Sequence, residues 1–108
     1  MSDLTRDGAK FPGETVAVRW RYASGRGGGG IYGAETLTGG TIVITLTCVS
    51  GPAVPAVTVV GAAAIDGSDV VALLTAGAAG SLWRRHCKVN TSAGQVLERA
   101  RLLPIEDA

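Results

Sequence analysis

Apolar and polar positions alternate with period two along most of this chain, and glycine-bearing connections separate the alternating runs. The clearest succession fills the last third: residues 69–75 (DVVALLT), 81–90 (SLWRRHCKVN) and 95–105 (QVLERARLLPI), joined by 76–80 (AGAAG) and 91–94 (TSAG). Upstream, residues 14–22 (ETVAVRWRY) set Val16, Val18, Trp20 and Tyr22 on one face and Ala17, Arg19 and Arg21 on the other. Residues 41–49 (TIVITLTCV) set Ile42, Ile44, Leu46 and Cys48 against a face that is mostly threonine, and 56–61 (AVTVVG) reads as a further short strand. Period two with β-branched and aromatic residues on one side is the mark of a half-buried strand. No window offers a helical stripe free of glycine and β-branched runs, so the pattern predicts an all-β fold.

The connections carry their own signals. Residues 50–55 (SGPAVP) hold two prolines, which exclude a central strand, and 62–68 (AAAIDGS) end in an Asp-Gly turn. Residues 23–30 (ASGRGGGG) hold five glycines in eight positions. Such a tract is a mobile loop, or a place where a partner's backbone approaches closely. Gly25, Arg26, Gly27, Gly28, Gly29 and Gly30, with Tyr32 beyond them, form a candidate contact loop. Residues 1–13 are polar, end in Pro12-Gly13, and read as a flexible arm that orders against a neighbour. The expected organisation is therefore an arm (1–13), one domain (14–105) and a short tail (106–108).

Composition narrows the picture. At 108 residues the chain suits a single domain with a modest core. One Phe, two Trp and two Tyr supply little bulk, as expected of a thin two-layer sheet structure. A formal net charge of +1 predicts no bulk attraction to nucleic acid or to membranes. No apolar run approaches the roughly 18 residues that span a bilayer. The N-terminus lacks the apolar stretch of a signal peptide, so synthesis in the cytoplasm is expected. There the two cysteines, Cys48 and Cys87, read as small buried thiols, although their places on separate strands would also allow a bridge between sheets.

Candidate chemistry is sparse. Residues 25–30 match G-x-G-x-x-G after a strand, but no helix follows to receive a pyrophosphate, and a glycine tract matches by composition alone. No cofactor is expected. His86, the only histidine, sits among Arg84, Arg85 and Lys88. If Asn90 pairs with Gln95 across the turn, the nearest carboxylate, Glu98, falls on the face opposite His86, and nothing marks a nucleophile. One His and two distant Cys fall short of a zinc site. In the final hairpin Trp83, Cys87 and Val89 share a face with Arg85, whereas Arg84, His86 and Lys88 share the other. One face can carry Arg84, His86, Lys88, Arg99 and Arg101. This basic stripe lacks interleaved aromatics for base stacking, so a solvated face or an acidic partner subunit suits it better than nucleic acid.

Three stretches carry a resemblance: Leu37-Thr38-Gly39-Gly40-Thr41-Ile42, then residues 73–80 (LLTAGAAG), then 87–95 (CKVNTSAGQ). Together they make the chain similar, over residues 36–103, to a group of small tailed-phage and prophage virion proteins. Those proteins carry a GGTI-like lead-in to a strand, a glycine-rich connection before an aromatic strand, and a "TsaGr" turn into a basic final strand. Here the connection is Ala-Gly-Ala-Ala-Gly, and the loop at 23–30 is unusually rich in glycine, which leaves open the virion surface contacted. The resemblance implies an immunoglobulin-like β-sandwich of about six or seven antiparallel strands, located in the virion. It implies a structural role without catalysis, and partners among capsid, neck or tail proteins in a homo-oligomer or symmetric array. Three roles fit: first a head decoration or head–tail neck protein; next a tail-tip or fibre-associated adaptor; last a host-surface or carbohydrate-binding module, for which Tyr22 and Tyr32 are the available aromatics. The expected core comprises Val16, Val18, Trp20, Ile42, Ile44, Leu46, Val57, Val59, Val71, Leu73, Trp83, Cys87, Val89, Ala100 and Leu102.

Overall fold

The computed structural model describes residues 8–22 and 36–106, and the expected contact loop (Gly25 to Gly30 and Tyr32) lies outside them, as do most of the arm and the last two residues. Six strands follow one another: β1 (Val16–Arg21), β2 (Leu37–Ser50), β3 (Val57–Asp66), β4 (Asp69–Ala76), β5 (Leu82–Thr91) and β6 (Val96–Pro104). They form two three-stranded antiparallel sheets, β1-β4-β3 and β2-β5-β6, and no helix occurs among the described residues. Among the described residues this arrangement of two three-stranded sheets is compatible with a β-sandwich. The all-β expectation holds.

Local chemistry fixes both hairpins. Between β3 and β4, Asp66 pairs with Asp69 and only Gly67 and Ser68 intervene. Gly67 has φ +63°, which suits the first central position of a II′ turn. The two facing aspartates would repel, but Arg19 on β1 reaches both, at 2.9 Å to Asp66 and 2.7 Å to Asp69. Between β5 and β6, the Thr91 N–H donates to the Gln95 carbonyl at 2.9 Å, and the Gln95 N–H donates to Thr91 Oγ1 at 3.1 Å. Thr91 and Gln95 thus close the loop, and Asn90 pairs with Val96 rather than with Gln95.

That single-residue difference turns every side chain of β6 relative to β5. Leu97 and Leu103 are buried, whereas Ala100 and Leu102, expected in the core, lie half-buried on the outer face. β4 is also reversed: Val70, Ala72 and Leu74 are buried, Val71 is half-buried, and Leu73 is 43% exposed. Both faces of this central strand are apolar, so alternation carries no information there, and the II′ turn sets the register. Val18, Trp20, Val57, Trp83, Cys87 and Val89 lie in the core as expected, with Val16, Ile42, Ile44, Leu46 and Val59 packed half-buried against it.

Strands also run longer than the sequence suggested. β2 starts at Leu37 and passes a register shift between Thr38 and Val43; β3 continues to Asp66 through another between Val60 and Ala64. Where the 51–56 connection leaves β2, Gly51 (φ +78°) sits so close to the β4–β5 connection that a Cβ would lie 2.6 Å from the Gly80 carbonyl oxygen.

Polar ties cross the apolar core. The Trp20 indole N–H donates to the Arg85 carbonyl at 3.1 Å, and the Tyr22 hydroxyl donates to the Cys87 carbonyl at 2.7 Å. The first ties β1, and the second the residue that follows it, to β5 in the opposite sheet. Every buried side-chain nitrogen and oxygen among the described residues has a hydrogen-bond partner. Lys10, placed in the arm by its sequence position, is 1% exposed. Its Nζ donates to the carbonyls of Ala76 at 2.6 Å and Phe11 at 2.7 Å, and its backbone forms a parallel bridge with Ile105. The Lys10 N–H donates to the Pro104 carbonyl at 3.0 Å, and the Glu106 N–H donates to the Lys10 carbonyl at 2.8 Å.

Candidate interaction surfaces

The basic stripe expected on one face of the hairpin divides in two. Arg84, His86 and Lys88 occupy the outer face of β5, opposite Leu102, Ala100 and Glu98 of β6 and Thr47, Thr45 and Val43 of β2. Arg99 and Arg101 turn to the inner face, opposite Cys87 and Arg85. The register that closes at Thr91 and Gln95 is the cause.

The same register brings Glu98 to His86, against expectation: His86 Nε2 lies 2.7 Å from Glu98 Oε1. The pair lies on an open sheet face, between Thr45 and Ala100 rather than in a cavity. It tempers the positive charge of Arg84 and Lys88 there. Among the described residues no group of three or more His, Cys, Asp or Glu could hold a metal ion.

The cysteines stand on β2 and β5, which are neighbours in one sheet, so they could not bridge two sheets as the sequence allowed. Cys48 pairs with Trp83 and Cys87 with Ile44, which sets them four residues apart along the strands, and both are free thiols. Cys87 is fully buried, and desolvation pushes its thiol pKa up. Tyr22 is also fully buried, and desolvation raises its phenol pKa strongly. It is therefore absent from the surface, which withdraws one of the two aromatics available to a carbohydrate-binding reading.

The outer face of the other sheet is apolar at its centre. Ala17, Leu73 and Val60 lie side by side across β1, β4 and β3, with Val60 41% and Leu73 43% exposed. Arg19 with its two aspartates bounds this patch on one side, and Thr15 bonded to Thr75 (2.9 Å between hydroxyl oxygens) bounds it on the other.

A third surface was not foreseen. The sheets meet along the β2–β3 side, but at the β1–β6 side they part around a cleft of about 760 Å³. Strand β1 from Val16 to Arg21 borders it on one side, with Gly8, Ala9 and Lys10, and Arg85, Arg99, Arg101 and Leu103 on the other; the Arg19 guanidinium itself is held on the outer face by Asp66 and Asp69. Arg85, 3% exposed, lies over the Trp20 ring at 4.8 Å from its centroid and donates to the Arg19 carbonyl at 3.2 Å. Arg99 lies over Tyr22 at 5.2 Å. Flat stacking on an aromatic face suits guanidinium. The one signal in the sequence was Arg85 itself, an arginine in an otherwise apolar alternation.

Comparison with curated proteins and with solved structures finds no match. A family model described as podophage GP4 fiber-tail adaptor protein gp77 matches residues 10–104, from the Lys10 tether through all six strands, and the chain therefore belongs to that family, Gp77.

Proposed function

We propose that this protein is a non-catalytic adaptor of a tailed-phage virion, joining fibre to tail through its sheet faces and edges. Membership of a fiber-tail adaptor family across residues 10–104 carries this reading. The family's description supports the tail- and fibre-associated role over head decoration or a head–tail neck position. The architecture is in keeping with it: two sheet faces, one bearing Arg84, His86 and Lys88 and one with an apolar centre at Leu73 and Val60, offer separate docking surfaces on a thin module. Repetition around a symmetric tail would multiply weak contacts of this kind.

The experiment is to assemble particles without this chain and image them. Filled heads with tails that lack fibres are the expected product. Particles that keep their fibres but fail at head completion would overturn the adaptor reading.

A further inference from the structure

We infer that two copies of this chain pack face to face through the outer surface of the β1-β4-β3 sheet, with their strands antiparallel across a two-fold axis. This rests on the adaptor reading only in taking that face as an interface, and it names the occupant.

The strand register lays the face out in four rows across β1, β4 and β3. Thr15, Thr75 and Thr58 form the first, and Ala17, Leu73 and Val60 the second. Arg19, Val71 and Ala64 form the third, and Arg21, Asp69 and Asp66 the fourth. The two middle rows are apolar except at Arg19, whose guanidinium is held at the fourth row by both aspartates. Ala17, Val60, Ala64 and Leu73 are all exposed. Arg19 and Thr15 have partners within their own chain, so an apolar surface laid over the centre leaves neither unsatisfied.

The charge pattern selects the occupant. Residues 36–65, which include all of β3 except its last residue, contain no charged side chain. Nothing along that border orients a charged partner, and a charge buried against Leu73 or Val60 would lack a counterpart. Interface centres are depleted in charge for this reason. A second copy meets the requirement, because the face is self-complementary. Turned about an axis that crosses the strands between Leu73 and Val71, the copy sets Val71 against Leu73 and Ala64 against Val60, small side chains against larger ones. The same turn sets Asp69 and Asp66 of one copy against Thr75 and Thr58 of the other, so hydroxyls meet carboxylates and the two acidic ends stay apart.

The face measures about 14 by 25 Å, below the roughly 800 Å² per partner of a standard interface. The dimer is therefore weak in solution, with a dissociation constant of about 0.1 mM, and an assembly that holds copies side by side strengthens it.

Sedimentation equilibrium of the full chain from about 10 μM to about 1 mM should follow a monomer–dimer curve. Leu73→Glu should raise the dissociation constant about ten-fold or more by placing a charge in the apolar centre, whereas Lys88→Glu on the other sheet should leave it within about two-fold. Val60→Glu and Ala64→Lys should each weaken self-association about ten-fold. Mixed together, they should pair to within about three-fold of the unaltered chain, because the antiparallel rows set the new carboxylate opposite the new ammonium. If Leu73→Glu fails to fold, the mixture decides, since both of its substitutions lie at exposed positions.

Monomers at every concentration would overturn the second copy and leave the face to a different subunit. Dimers indifferent to Leu73→Glu would overturn the face, and a mixture no tighter than its components would overturn the antiparallel arrangement. Monomers combined with fibre-less particles in the absence of this chain would leave the adaptor role standing on other surfaces. Dimers combined with particles that keep their fibres would do the reverse, so the two readings fail separately.

Discussion

Trp20 and Arg85 clasp each other across the sandwich. The indole N–H donates to the Arg85 carbonyl at 3.1 Å, while the Arg85 guanidinium lies over the indole ring. A double-mutant cycle with Trp20→Phe and Arg85→Met should show a coupling of about 1–2 kcal/mol in urea unfolding. Trp20→Ala should cost about 3–5 kcal/mol by opening a cavity between the sheets. Additivity within about 0.3 kcal/mol would show that the two side chains act independently.

Alkaline pH should unfold the protein through Tyr22 and Cys87. Burial raises both above their ordinary values of 10.0 and 9.0, so the unfolded chain releases these protons first. Their contribution is intact below those values and is lost as pH rises beyond them. Lys10 works in the other direction. Desolvation lowers its pKa from 10.5, the unfolded chain binds more protons, and its contribution rises with pH up to that value. Tyr22→Phe should therefore flatten the fall in stability above pH 10, and Lys10→Met should steepen the alkaline decline. Urea midpoints measured from pH 7 to 11 check both signs.

The Lys10 ammonium also steadies a strained residue. Ala76 has φ +65°, a conformation that costs a residue with a Cβ about 1–2 kcal/mol, and its carbonyl accepts the Lys10 bond. Ala76→Gly should stabilise by about 1 kcal/mol. Lys10→Met should destabilise by about 2 kcal/mol through the loss of charge-assisted bonds to buried carbonyls. Thermal melts of the two variants should therefore move in opposite directions.

Two positive-φ glycines should respond differently to substitution. A side chain at Gly51 would collide with the Gly80 and Ser81 backbone, whereas nothing lies within 4 Å of the Cβ direction at Gly67. Gly51→Ala should cost about 3 kcal/mol or more, and Gly67→Asn, which tolerates the left-handed region, about 1 kcal/mol or less. Similar losses in denaturant midpoint would contradict the close approach at Gly51.

The sequence was most legible where one face is polar. In β1 and β2, arginine or threonine alternates with apolar residues, and the inner faces could be assigned directly. β4 reads Val70, Val71, Ala72, Leu73, Leu74, so period two cannot choose a side. The β5–β6 register depended on the bonds between Thr91 and Gln95, which composition does not reveal. With the register shifted by one, Arg99 and Arg101 left the supposed stripe for the cleft, and Glu98 came to His86. Their long side chains can lie on the inner face because β6 borders an open side of the sandwich, where an arginine stem packs and its head reaches water. The tail-associated role was present in the resemblance only as one of several virion positions, and the family model gave it weight.

The parallel bridge at Lys10 and Ile105 has a mechanical consequence. The two segments run side by side in the same direction, so a pull between the chain before Lys10 and the chain after Ile105 slides one past the other. The bonds to Pro104 and from Glu106 then bear load together instead of opening one after the next. Single-molecule stretching should therefore meet its first resistance at this contact, and Lys10→Pro, which deletes the donor to Pro104, should lower that force.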